Sequence, residues 1–305
     1  MRGFRLTALF AAFALVASSA CARPANDGTI HPVLYVARDA DSTLYLFGTV
    51  HIRRPNTPWG GPEAQAALNS ADEVWTELPI SPEDDARTQQ LVMQLGMTDD
   101  AHPLSSYLTA EENQRLAALT QRLGVQSAGL QRMKPWLASI TLSFLPMMQA
   151  GFDPNSGVDR AIDEVADAAG KRRTAFETAD QQIGFLANLS PTLQREMLIE
   201  TIDESEQGTA ELDQLTAAWE RGDIRTLQRL VVDDTRRQYP ELYNVLFIQR
   251  NNAWIERLMQ EMHGSGVDFV AVGTGHLLGH DGLVEQLRRR GVHVERVSPA
   301  APTSR

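Results

Sequence analysis

Cysteine is nearly absent. Cys21 is the only one in 305 residues, so no disulfide staples the fold, and a thiolate metal site or cysteine nucleophile in the body of the chain is excluded. Positive charge is in short supply too. Lys and Arg number 28 against 39 Asp and Glu, a formal net charge of −11, which argues against a nucleic-acid partner. The Arg288-Arg289-Arg290 run reads instead as the solvated last turn of a helix, where cations suit the helix dipole. Long hydrophobic runs are missing. The apolar stretches Leu6–Ala17 and Trp136–Met148 fall short of the roughly 20 residues that span a bilayer, so no transmembrane helix is expected. There is no His-Glu-x-x-His helix either, which sets aside the common zinc-protease arrangement.

The first 22 residues have a purpose of their own. Arg2 and Arg5 form a positive start, Leu6–Ala17 an apolar core, and Ala20-Cys21-Ala22 or Ser18-Ser19-Ala20 a small-residue cleavage site. This is the pattern of a secretory signal peptide. The expectation is export across an inner membrane and a periplasmic location. Cys21 is a candidate acylated residue of a lipid anchor, although Ser18 stands where such sites prefer Leu or Val. Residues 23–305 then read as one domain.

Along that body, Val33–Ala37 and Thr43–Gly48 alternate around a polar turn and predict a β-hairpin. Short strands are expected at Glu73–Leu78, Thr174–Glu177, Phe269–Val272 and Val292–Val297. Ser81-Pro82 opens one helix, and capping boxes at Thr109–Glu112 and Thr178–Gln181 open two more. Trp136–Met148, apolar nearly all round, reads as a buried helix interrupted by Pro146. The expected class is α/β: a central mixed sheet built from N- and C-terminal segments, with a large helical insert over about 80–262.

Two short motifs stand out. "LYLFGTVH" ends at His51 and "FVAVGTGH" ends at His276, each an apolar strand followed by Gly-Thr-x-His. With 21 Gly, 21 Thr and 7 His in the chain, random placement would yield roughly 0.03 such motifs, so the repeat is not chance. Each His would leave the carboxyl end of a strand, where ligands collect in open α/β sheets. The plainer alternative is a pair of hydrogen-bonded structural imidazoles. Two histidines and one carboxylate would suit Zn²⁺, Mn²⁺, Fe²⁺ or Co²⁺. Glu77, at the end of "EVWTEL", is the best carboxylate, unless it is a surface charge on an edge strand. Glu177 is a similar candidate, with a job at the following helix N-terminus as its alternative. Asp159 reads as an ordinary first-turn acid of the helix at 157–170. In the helix Glu241–Met262, Arg250 and Asn251 fall on an otherwise apolar stripe. That is costly unless they are paired or face a polar site.

The ordered series "YLFGTVH", "ALNSADEVWTEL", "KPWLASITL", "GVDRAIDEVADAAGK", "FETADQQIGFL", "AWERGD", "PELYNVLFIQRNNAWIERL" and "FVAVGTGHLLGHDGLVEQLRRRGVHVERV" resembles the TraB/GumN family from about residue 30 to 297. The resemblance implies a fold related to the erythromycin-esterase-like and ChaN-like group. It also implies kinship with the Tiki proteins, described as Mn²⁺- or Co²⁺-dependent proteases. Their paired Gly-x-x-His motifs, intervening acid and later Arg/Asn element correspond to Gly48–His51, Gly273–His276, Glu77 and Arg250–Asn251. The expectation is a metal-dependent hydrolase of a peptide or small-molecule amide. His51, Glu77 and His276 would be the ligands, with Mn²⁺ or Co²⁺ first and Zn²⁺ or Fe²⁺ next. Glu177 would shuttle protons, and Arg250 with Asn251 would steady an oxyanion. The alternative is a non-catalytic binder that sequesters a peptide, a metal or haem. Gly273–Gly279 also approaches a dinucleotide fingerprint, but its last spacing is one residue too long and His276 would crowd the phosphates.

Overall fold

The computed structural model describes residues 29–207 and 210–298, so the expected signal peptide and Cys21 lie outside the described residues. Strands β1 (Leu34–Arg38), β2 (Ser42–Thr49), β3 (Glu73–Thr76), β4 (Arg172–Ala175), β5 (Gly266–Gly273) and β6 (His293–Arg296) form one mixed sheet in the order β4-β3-β5-β2-β1-β6. β1 and β2 make the expected hairpin, and β6 closes the edge antiparallel to β1. β5 runs parallel to both β2 and β3, and β3 parallel to β4. The last third of the chain therefore supplies the strand that joins the N-terminal hairpin to β3. Being covered on both faces, β5 reads as a continuous apolar run, and Phe269–Val272 are fully buried.

This topology matters because β2, β3, β4 and β5 all end on one edge of the sheet. Thr49 pairs with Gly273 at the ends of β2 and β5, while Thr76 pairs with Ala175 and Ala271. The β3–β4 ladder continues one step further, with the Glu177 amide donating to the Glu77 carbonyl at 3.0 Å. The expected strands 73–78 and 174–177 thus stop short, and both glutamates stand just beyond the sheet.

Helices make up most of the segment between β3 and β5. Pro135–Gln149 is the buried apolar helix, with Pro146 inside it rather than ending it. It packs against Pro191–Gln207, where Ser139 and Thr201 share a buried hydroxyl bond of 2.7 Å. Ala138, Leu142, Leu198 and Ile202 form part of a second small core there. Among the described residues no helix is long and apolar enough to cross a membrane.

The expected helix 241–262 is not uniform. Pro240–Tyr243 is α-helical, Asn244–Ile248 is π-helical, and Gln249–Met262 is α-helical again. Its buried stripe at 242, 246, 250, 254, 258 and 262 repeats every four residues. An α-helix repeats every 3.6 residues, so such a stripe drifts by about 40° per step. The wider π turn takes up part of that drift and keeps Leu246 and Phe247 on the face that carries Arg250.

A buried His–acid–Arg cluster as candidate active site

The two Gly-Thr-x-His motifs leave neighbouring strands, and each letter has a physical task. A Cβ on Gly48 would lie 2.8 Å from Thr274 Oγ1, so the glycine lets the two strand ends close on each other. Thr274 Oγ1 donates to the Thr49 carbonyl at 2.9 Å. Thr49 Oγ1 in turn donates to Asp159 Oδ1 at 2.6 Å. The other oxygen of Asp159 meets His51 Nδ1 at 2.5 Å. Asp159 can stand there because helix Val158–Ala168 begins against His51: the Val158 amide donates to the Val50 carbonyl at 2.9 Å, and a Cβ on Gly157 would lie 2.8 Å from the His51 carbonyl oxygen.

At the second motif, His276 Nδ1 meets Asn251 Oδ1 at 2.7 Å, and Asn251 Nδ2 donates to the Asp281 carbonyl at 2.9 Å. The amide oxygen of Asn251 can only accept, so His276 carries its proton on Nδ1 and leaves Nε2 as an acceptor. Arg250 Nη1 lies 3.1 Å from that Nε2. His51 and His276 both turn Nε2 toward Glu77, at 3.7 and 3.9 Å from the same Oε1. The Gly273 amide donates to that oxygen at 2.7 Å.

Arg250 binds both glutamates. Its Nε and Nη2 donate to Glu177 Oε1 and Oε2 at 2.7 and 2.9 Å, a bidentate pair, and Nη2 also donates to Glu77 Oε2 at 2.6 Å. Trp254 Nε1 donates to Glu177 Oε1 at 3.0 Å, and Gln182 Nε2 to Oε2 at 3.3 Å. Glu177 is thus surrounded by donors, from Arg250 itself, Trp254 and Gln182. Trp254 flanks the cluster, with its ring 4.7 Å from the guanidinium and 4.4 Å from the His276 ring.

Burial sets the electrostatics, and the neighbours decide the sign. Burial would lower His51, but Asp159 and then Glu77 outweigh it and raise its pKa to about 10. Burial, reinforced by Arg250, pushes His276 down to about 3. Burial also disfavours a charged Glu77, yet Arg250 and the histidines hold its carboxyl well below the usual range. Burial lifts the carboxyl of Glu177, with Arg250 pulling against it. Two chemically equal imidazoles are thereby driven in opposite directions, which is a mark of functional sites.

The cluster offers the donor types a divalent cation takes, and two observations favour one. His51 Nε2 is buried without any hydrogen-bond partner. Its Nδ1 is backed by Asp159, the carboxylate–histidine arrangement usual behind a ligating imidazole. A Cβ on Gly273 would lie 3.1 Å from Glu77 Oε1, 3.4 Å from His51 Nε2 and 3.7 Å from His276 Cδ2. The glycine therefore keeps clear the space where the three side chains converge. Among the described residues, however, no three His, Cys, Asp or Glu side chains are gathered at ligating distance. Arg250 Nη1 would have to release His276 Nε2 before that ring could join His51 and Glu77 around an ion.

All six residues singled out from the sequence meet here: His51, Glu77, Glu177, Arg250, Asn251 and His276. Asp159 was the omission. A first-turn acid needs no explanation in isolation, and the one local signal was Gly157 before the helix. Thr49 and Gln182 also enter only through the fold.

No curated protein matches the chain closely enough to count as a relative. A family model does match, over residues 33–296, a span that takes in every residue of the cluster and nearly the whole chain. The chain belongs to the TraB/PrgY/gumN family.

Proposed function

We propose that the chain is a metal-dependent hydrolase of peptide or amide bonds that works after export, in the periplasm. His51, Glu77 and His276 would hold the ion. The observation that carries this reading is the orphaned, buried Nε2 of His51, backed by Asp159 and facing Glu77 Oε1 across the space that Gly273 leaves clear. When bound, a divalent ion supplies a water acidic enough to ionise near neutral pH and polarises the scissile carbonyl. Nitrogen and carboxylate donors without thiolate suit Mn²⁺ or Co²⁺, and equally Zn²⁺ or Fe²⁺.

The chain's own groups have separable parts in this reading. Asp159 fixes the His51 ring with its Nδ1 proton toward the carboxylate, and a bound ion would take the place of the proton on Nε2. Asn251 likewise fixes the His276 ring. Glu177, already saturated by Arg250, Trp254 and Gln182, orients the guanidinium. Arg250 Nη1, once turned away from His276, is the donor positioned for a developing oxyanion.

The same Arg250–His276 contact favours a second reading, a non-catalytic binder whose pocket is complete without an ion. A cleavage assay separates the two. A peptide library offered to the wild type and to His276→Ala should be cut by the wild type alone, with binding retained in the variant. A wild type that binds peptides and cuts none, with Mn²⁺ or Co²⁺ supplied, would sink the hydrolase reading.

A further inference from the structure

Beside His51 and Glu77 lies a cavity of about 110 Å³. The cluster supplies only one end of it. The rest is walled mostly by apolar groups, Leu78 and Ile80 after β3, Val92 of helix Pro82–Gly96, Trp136 and Ile140 of helix Pro135–Gln149, and Ile183 of helix Ala179–Ala187, with Asp85, Thr88 and Arg160 among them. At 10–15 Å³ for each water-sized group, the space admits roughly 7 to 11 such groups. That is the size of a Leu, Met or Phe side chain with part of its backbone.

The charges on the wall narrow the occupant. The cations on the wall are already paired: Arg160 Nη2 lies 2.6 Å from Asp85 Oδ1, and His51 Nδ1 lies 2.5 Å from Asp159 Oδ2. The wall's carboxylates, Glu77, Asp85 and Asp159, are in turn held by Arg250, Arg160 and His51, so each charge on the wall already answers another, and a charged occupant of either sign would have to desolvate against the apolar remainder.

We infer that this cavity is the specificity pocket of the site: it takes the uncharged apolar side chain of the residue beside the cleaved bond. The word "cleaved" rests on the hydrolytic reading above; the pocket's preference does not.

The test uses binding, so that it stands apart from turnover. N-acetyl-phenylalanine amide, N-acetyl-lysine amide and N-acetyl-aspartate amide are titrated into the full chain and followed by calorimetry. The phenylalanine amide should bind at least about tenfold more tightly than either charged amide, since burying an unpaired charge costs well over the 1.4 kcal/mol that a factor of ten represents. Thr88→Trp, at a half-exposed position on the wall, should fill the pocket and abolish that preference without moving the thermal midpoint. His276→Ala, which lies outside this wall, should bind the amide normally while losing any turnover. Charged amides that bind as tightly as the phenylalanine amide, no binding by any of the three, or a folded Thr88→Trp protein with wild-type binding would each overturn the inference. Absence of turnover in the wild type would strike the hydrolase reading alone.

Discussion

Arg250→Met asks what the buried guanidinium is worth. The side chains of Arg250, Glu77 and Glu177 are only 3%, 6% and 5% exposed. In the native cluster, one cation answers two carboxylates through three hydrogen bonds of 2.6 to 2.9 Å. Methionine preserves much of the volume and removes the charge. Breaking a buried pair from one side costs about 3–5 kcal/mol, because the surviving charge is left without compensation. Two survivors place the expected loss at the upper end of that range. For a domain of this size each kcal/mol moves the thermal midpoint by about 2–4 °C, so a fall of about 10–20 °C is expected at pH 7.

The pH dependence adds a sign. In the wild type the Glu77 carboxyl is held below its ordinary value. Its stabilising contribution is therefore complete above the unfolded pKa and disappears as the pH falls through the folded one. In the variant both carboxyls are pushed up by burial, so acid relieves them. The gap between the two proteins should narrow steadily from pH 7 to pH 5. Adding Glu177→Gln should restore part of the loss by removing one stranded charge. Scanning calorimetry at several pH values measures all three quantities. A loss under about 1 kcal/mol at pH 7, or a gap that does not change with pH, would refute the assignment of Arg250 as the common counterion.

Two further outcomes follow from single positions. Gly273→Ala adds a methyl 3.1 Å from Glu77 Oε1 and 3.4 Å from His51 Nε2 without requiring unusual backbone. The protein should fold with little change in thermal midpoint and lose metal binding, and a variant that still takes up Mn²⁺ at wild-type affinity would contradict the proposed ion position. Asp268, opposite Glu73 across the β3–β5 ladder, is raised to about 6 by burial and by Glu261 and Glu73. The native state then holds the extra proton between the unfolded carboxyl range and about pH 6, so stability falls as pH rises through that window. Asp268→Asn should remove that slope and be the more stable protein at pH 7, as read from urea midpoints at pH 4, 5, 6 and 7.

Much of this arrangement was legible because two kinds of signal agree. The strand pattern placed Gly48 and Gly273 at strand ends, and the repeated motif said that those ends matter. The interruption of an apolar helix stripe by Arg250 and Asn251 was equally readable, since a guanidinium on such a face must find carboxylates. Pairing of β5 between β2 and β3 was harder to see. It depends on non-local contacts that no local propensity encodes. Asp159 reads as an ordinary first-turn acid for a related reason: its partner, His51, approaches through Gly157 from a strand more than a hundred residues earlier. The π-helical turn at Asn244–Ile248 left a trace in the four-residue spacing of the stripe, which an expectation of plain helix passes over.

The most direct test of the account is metal content. The chain from residue 23, purified without chelator, is compared with the His51→Ala, His276→Ala double variant by elemental mass spectrometry. The account predicts near-stoichiometric Mn, Co, Zn or Fe in the wild type and none in the folded double variant. If neither protein retains metal, even after Mn²⁺ or Co²⁺ is offered at micromolar concentration, the His51–Glu77–His276 cluster is not a metal centre, and the paired strand ends serve a metal-free pocket.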